Sequence, residues 1–217
     1  MVSQEFSLEE GEFLVRIARK AVEKYLQSNE MIRPPPETSK KLWRKYGVFV
    51  TIEKMREING RVHKELRGCI GFPLPIKPLI EAAIEAAIAA AVEDPRFPPL
   101  QLSELNDVVF EVSILTPPSE LKPDSPKDFP KLIKVGRDGL IVEYGFYRGL
   151  LLPQVPIEYG WDEETFLSQT CLKAGLPPDC WLYDGIKIYS FQAEIFCEEE
   201  PNGRVVRRKL SEHRGKS

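Results

Sequence analysis

The chain has 217 residues, 42% of them hydrophobic and 29% charged, with a formal net charge of −3. That is enough apolar material for a sizeable core, and the charge balance gives no global attraction to nucleic acid or anionic lipid. No run reaches the roughly 18 to 20 apolar residues that a membrane helix needs, and the opening MVSQEFSLEEGEF lacks the basic and apolar regions of a secretory signal, so the sequence points to the cytoplasm.

In chain order, Ser7 and Glu10 form a capping-box signature. Leu14, Ile17, Ala18, Ala21, Val22 and Tyr25 then recur at helical spacing, predicting an amphipathic helix over 8–27. IRPPPETSK (32–40) is too rich in proline for helix and reads as a surface loop, with a short helical turn near 41–45. GVFVTIEK (47–54) and RVHKELRGCIGF (61–72) flank Asn59-Gly60, the strongest short hairpin signal. An alanine-rich helix follows from 78, with Ile80, Ile84, Ile88 and Val92 four apart, and Asp94-Pro95 ends it. Residues 102–118 read as a turn and then a strand, in which Val108, Phe110, Val112 and Ile114 alternate with Val109, Glu111, Ser113 and Leu115. Prolines at 117, 118, 123, 126 and 130 mark a long extended connection.

The segment 131–156 reads as strand, Asp-Gly turn, strand and a further strand. Residues 162–176 are a helix closed by Gly175, and 185–200 form a last long strand with Ile186, Ile188, Phe191, Ala193, Ile195 and Cys197 as inward candidates. RVVRRKLSEHRGK (204–216) is a basic tail, more in keeping with a solvated end than with a binding arm. Strands come in hairpins and meanders without βαβ alternation, which predicts an α+β fold with mainly antiparallel sheets and flanking helices. One domain spans 1–217, and the proline-rich connection opens a smaller subdomain within about 117–160. The four cysteines form no CxxC pair, and His63 and His213 lie far apart, so no zinc site and no other cofactor is expected and all four thiols are expected free. Abundant Glu, Lys, Arg and Pro match a thermophile composition.

Within 61–72, strand alternation puts Val62, Leu66, Gly68, Ile70 and Phe72 on one face and His63, Glu65, Arg67, Cys69 and Gly71 on the other. A plain two-residue turn would set Cys69 beside Val50. A three-residue loop, or one bulge, would instead group Val48, Val50 and Ile52 with Gly68, Ile70 and Phe72, and this register is favoured because a one-residue slip exchanges the faces. Cys69 then lies on the polar side near Arg67. Two readings follow: a thiolate stabilised by a neighbouring guanidinium, with the glycines opening backbone to a ligand, or a core cysteine with glycines where a helix crosses. Arg96 either complements the helix dipole or binds a ligand. Ser113 shares a face with Glu111, and the amide of Gln154, in an apolar run, is a structural clamp or a substrate contact. His63 is too far along the strand for a dyad with Cys69.

The motif Leu66-Arg67-Gly68-Cys69-Ile70-Gly71 resembles the hallmark of the AMMECR family. The likeness extends through Asp94-Pro95-Arg96-Phe97, Leu152-Pro153-Gln154-Val155, Gly160-Trp161 and Cys171 to Leu176, nearly the whole chain. The resemblance implies an α+β protein with a larger and a smaller subdomain and a cleft between them. It implies a basic cellular role with no established activity, and some microbial relatives are fused to, or encoded beside, a Memo-like protein and a radical-SAM protein. Three functions are thereby open. The first is an enzyme, or part of a modification system, using Cys69 catalytically with Arg67, Arg96, Ser113 and Gln154 binding a small anionic substrate. The second is an adaptor docking a Memo-like partner without catalysis of its own. The third, ranked below both, is a nucleic-acid-associated factor in transcription, replication, repair or translation.

Overall fold

The computed structural model describes residues 5–58 and 60–208. Helix α1, Leu8–Ser28, starts at the capping box: Ser7 Oγ accepts from Glu10 N at 3.1 Å and Glu10 Oε2 accepts from Ser7 N at 2.9 Å. It ends at Asn29, whose left-handed φ of 57° stops the helix. Strands β1 (Gly47–Ile58) and β2 (Arg61–Phe72) make the expected hairpin, and α2 (Leu79–Val92) follows. Strand β3 runs Val108–Leu115, after a 3-10 turn at Leu102–Asn106. Then come β4 (Ser119–Glu120), α3 (Phe129–Leu132), β5 (Asp138–Tyr144), β6 (Tyr147–Leu151), α4 (Val155–Tyr159), α5 (Glu163–Lys173), β7 (Lys187–Glu198) and β8 (Val205–Arg208). The architecture is α+β with antiparallel pairing between the named strands.

The described chain divides into two compact units, one of residues 5–115 with Glu194–Arg208 and one of Thr116–Ala193. In the larger unit β1 lies between β2 and β3, and β8 pairs with the last residues of β7. Helix α2 packs on β1, β2 and α1, and ten of its fourteen residues are buried. Alanine at 82, 83, 86, 87, 90 and 91 lets backbone approach from more than one side, so burial close to the helix axis replaces long side chains. Val48, Val50, Ile52, Phe110, Val112 and Ile114 complete this core. A buried ion pair ties it together. Arg19 on α1 donates through Nε to Glu198 Oε1 at 2.8 Å, and through Nη1 to Leu105 O at 2.9 Å, while Phe110 N donates to Glu198 Oε2 at 3.0 Å. Each charge has a partner and further hydrogen bonds, the condition under which burying it is tolerable.

In the smaller unit β5 pairs with β6 and with the first half of β7, and β4 pairs with β7. α5 covers β6 where Gly149 leaves room for the backbone of Thr170 and Ala174. A second core of Phe129, Ile133, Leu140, Val142, Phe166, Leu167 and Ile188 fills this unit.

Several expectations need correction. Residues 129–132 are helical, and Asp138-Gly139 opens β5 rather than making a turn, because Asp138 Oδ2 accepts from Lys134 N at 2.9 Å and folds the preceding loop onto itself. The hairpin reverses instead at Gly145, φ 58°. Cys171 and Cys180 are joined in a disulfide, and only Cys69 and Cys197 are free thiols. Nine residues of separation along the chain give no spacing signature of the kind that marks a metal or redox pair. The basic tail begins as strand β8: Arg207 pairs with Glu194 and Arg208 with Glu111. The rest of it, from 209, lies outside the described residues.

The candidate site around Cys69

The favoured register is the one observed. Val48 pairs with Phe72, Val50 with Ile70, Thr51 with Cys69 and Ile52 with Gly68, and the register shifts after Ile52 so that Glu53 faces Leu66. The bulge has a consequence that simple alternation misses. Arg67 is the extra residue, and beyond it the faces exchange. Leu66 and Val62 therefore do not join Gly68 and Ile70 on the core side, and they are 41% and 61% exposed. On the other side of the sheet, Cys69, Thr51 and Glu111 form one row across β2, β1 and β3.

The two glycines have separate structural causes. A Cβ at Gly68 would fall inside the van der Waals shell of the Ala90 carbonyl oxygen on α2, and one at Gly71 would meet the Val48 carbonyl oxygen on β1 and the Phe49 ring. The helix-crossing explanation therefore holds at Gly68, and at Gly71 the backbone of the paired strand and the Phe49 ring together fill the place of a side chain.

Asp94 and Arg96, just past α2, grip the backbone of Cys69. Asp94 Oδ2 accepts from Cys69 N at 2.9 Å, and Arg96 Nη2 reaches Cys69 O at 3.4 Å. Arg96 also donates to both carboxylate oxygens of Asp94, Nε to Oδ1 at 2.9 Å and Nη2 to Oδ2 at 2.7 Å. These bonds, with the Arg96 side chain foremost, hold the Asp94 carboxyl down at about 2. The thiol itself is half-buried, with the Thr51 hydroxyl 3.4 Å from Sγ. Burial pushes the Cys69 thiol up; the Thr51 hydroxyl and the Arg96 charge pull it down, while Glu111 and Asp94 raise it further, and the net shift is upward. At neutral pH the sulfur is a protonated thiol.

Arg67 does not take part in that arrangement. It makes a two-pronged pair with Glu104, Nε to Oε1 at 3.1 Å and Nη2 to Oε2 at 3.0 Å, and donates to Pro98 O at 2.9 Å. Glu104 is held at about 2, first by the Arg67 bonds. Ser113 lies two residues beyond Glu111 on the same face of β3, fully buried, and Gln154 stands at the start of α4 in the smaller unit. Ser113 Oγ and Gln154 Oε1 are the buried side-chain oxygens that lack a hydrogen-bond partner among the described residues. Within the larger unit the fold thus joins Cys69 with Arg96 and puts Ser113 on the same sheet face. Asp94 carried only a helix-stop signal in the sequence, and Thr51 carried none until the strand register was fixed. Among the described residues no cluster of His, Cys, Asp and Glu could hold a metal ion, and no helix is long and apolar enough to cross a membrane.

The AMMECR1 family model matches residues 15–196. The chain belongs to the AMMECR1 family. It is 61% identical over 200 residues to Protein PYRAB00100 of Pyrococcus abyssi, covering 92% of this chain and 96% of that one. It is 57% identical over 205 residues to Protein MJ0810 of Methanocaldococcus jannaschii, covering 94% and 98%. The crystal structure of Uncharacterized Protein PH0010 from Pyrococcus horikoshii superposes with a TM-score of 0.87 at 58% identity, covering 93% of this chain and 98% of that one. The stretch LRGCIG (66–71) is the bulged part of the edge strand that Asp94 and Arg96 clamp.

Proposed function

We propose that this AMMECR1 protein is a cytoplasmic component of a protein- or small-molecule-modification system, and that it docks a Memo-like partner on the strand around Cys69. The observation that carries the reading is the clamp. Asp94 and Arg96 fix the backbone of an edge strand at Cys69, while the thiol beside them is held protonated. A nucleophilic cysteine calls for the opposite shift, and His63 is set opposite Arg56, six positions from Cys69 along the strand. What stands outward is Arg96, whose side chain is 53% exposed yet anchored by Asp94. A pre-oriented, partly exposed guanidinium is the kind of group that anchors protein interfaces. A Memo-like protein is the partner that the resemblance to the AMMECR family implies. Cytoplasmic placement agrees with a disulfide if the chain works at high temperature, as intracellular proteins of hyperthermophilic archaea carry them.

The test is a binding titration against the Memo-like protein of the same genome. Cys69→Ser should bind as wild type does, whereas Arg96→Ala should weaken binding about tenfold or more, as expected for an interface anchor. Absence of binding by the wild type, or loss of binding in Cys69→Ser with Arg96→Ala unaffected, would overturn the reading.

A further inference from the structure

Glu111 is a carboxylate in the wrong place for a structural ion. It sits on β3 in the middle of the sheet row, 4% exposed, and burial raises its proton affinity. Four other ionisable groups bear on it besides Arg208: Lys64 from β2, Glu53 from β1, and the thiols of Cys69 and Cys197. Its hydrogen-bonded counter-charge is Arg208, which donates from Nη1 to Oε2 at 2.8 Å.

That contact is single. Arg208 carries five N–H donors, and neither Nε nor Nη2 makes a hydrogen bond among the described residues. Its side chain is 38% exposed. Lys64, 35% exposed, has only long contacts, 4.0 Å to Glu53 and 3.4 Å to Glu198 O. Ser113, on the same face, contributes a buried hydroxyl without a partner. Two cations that reach solvent thus border a carboxylate that satisfies only one edge of one of them. A carboxylate arriving from solvent can take the forked, two-bond geometry that Glu111 does not. Glu111 would then be a buried charge without a partner, a state that proteins avoid by neutralising the group.

We propose that Arg208 and Lys64 form a binding site for a small organic carboxylate, which displaces Glu111 from Arg208 while Glu111 takes up one proton from solvent. The exchange balances: one anion and one proton enter, the Arg208–Glu111 ion pair is replaced by an Arg208–ligand pair, and the displaced side chain becomes a neutral carboxylic acid. No partner protein is required, so the site stands or falls separately from Memo docking.

The isolated full chain is titrated with acetate between pH 6 and pH 8, in two buffers of different ionisation heat. Wild type should bind acetate more weakly as pH rises and should take up protons on binding. Glu111→Gln, which cannot be charged, should bind acetate more tightly and without pH dependence, while Arg208→Gln should lose at least tenfold. Absent or pH-independent acetate binding in the wild type, weaker binding in Glu111→Gln, or preference for inorganic phosphate over acetate would each overturn the proposal. The proton count uses unaltered protein, so it decides the matter even if a variant is unstable.

Discussion

Gly68 is held to hydrogen by the Ala90 carbonyl of the crossing helix, backbone against backbone, with no flexible side chain to yield. Gly68→Ala should therefore destabilise the fold by about 2 to 3 kcal/mol, the upper range for overpacking, read as a lower urea midpoint. Gly71 likewise meets a backbone oxygen, that of Val48, with the Phe49 ring beside it, so Gly71→Ala should be destabilising on the same scale. At Cys69 the upward shift of the thiol makes a second residue-scale prediction: iodoacetamide should modify the native protein slowly at pH 7 and faster as pH rises toward the thiol's raised range. Rapid alkylation at pH 7 would contradict the protonated thiol. The sequence placed Arg67 beside the thiol and Arg96 only as a dipole or ligand contact, whereas Arg67 pairs with Glu104 and Arg96 reaches the Cys69 carbonyl. Which arginine reaches the cysteine depends on the bulge and on where the chain returns after α2, and neither is a property of the local string.

At the scale of elements, two carboxyl–guanidinium clamps hold the edge strand to the segment after α2. Asp94 and Glu104 are both depressed to about 2. A carboxyl lowered on folding adds stability that is complete above its unfolded pKa and disappears as pH falls through the folded value. Each shift corresponds to about 2 to 3 kcal/mol. Stability should thus hold down to about pH 5 and fall between there and pH 2, and Arg67→Ala should flatten that acid limb while lowering stability at neutral pH; urea titrations at pH 7 and pH 3 measure both. The Cys171–Cys180 link ties α5 to the 3-10 turn at Cys180–Leu182. For a loop of this length the chain-entropy argument gives about 2.5 kcal/mol, so Cys171→Ala with Cys180→Ala should lower Tm in a thermal melt. Helices α1, α2 and α5 and the first hairpin were readable because their signals are local: a capping box, a fourfold apolar repeat, a helix-ending glycine and Asn-Gly. Strand β8 and the start of β5 were missed, since the strand pairing of one and the Asp138 loop bond of the other override weak propensities.

For the whole molecule, the chain leaves the larger unit at Leu115 and re-enters it at Glu194. The segment that returns last supplies Glu198 to Arg19 and Glu194 to the backbone N–H groups of Glu5 and Phe6. A chain ending at residue 193 should fail to fold its larger unit, since Arg19 would remain buried without its counter-ion; loss of dispersed amide signals from α1 in an NMR spectrum would show it, and a native-like spectrum would refute it. The sequence by itself determined the α+β class, the long helices, the hairpin and the pairing of Val48, Val50 and Ile52 with Phe72, Ile70 and Gly68, because periodicity and turn chemistry act over a few residues. Only the tertiary structure decided that the strand carrying Cys69 is clamped by Asp94 and Arg96, that Arg67 is spent on Glu104, and that Glu111 meets Arg208 across 97 residues of sequence. Those outcomes depend on which distant charges burial brings together, and charge carries no address along the chain.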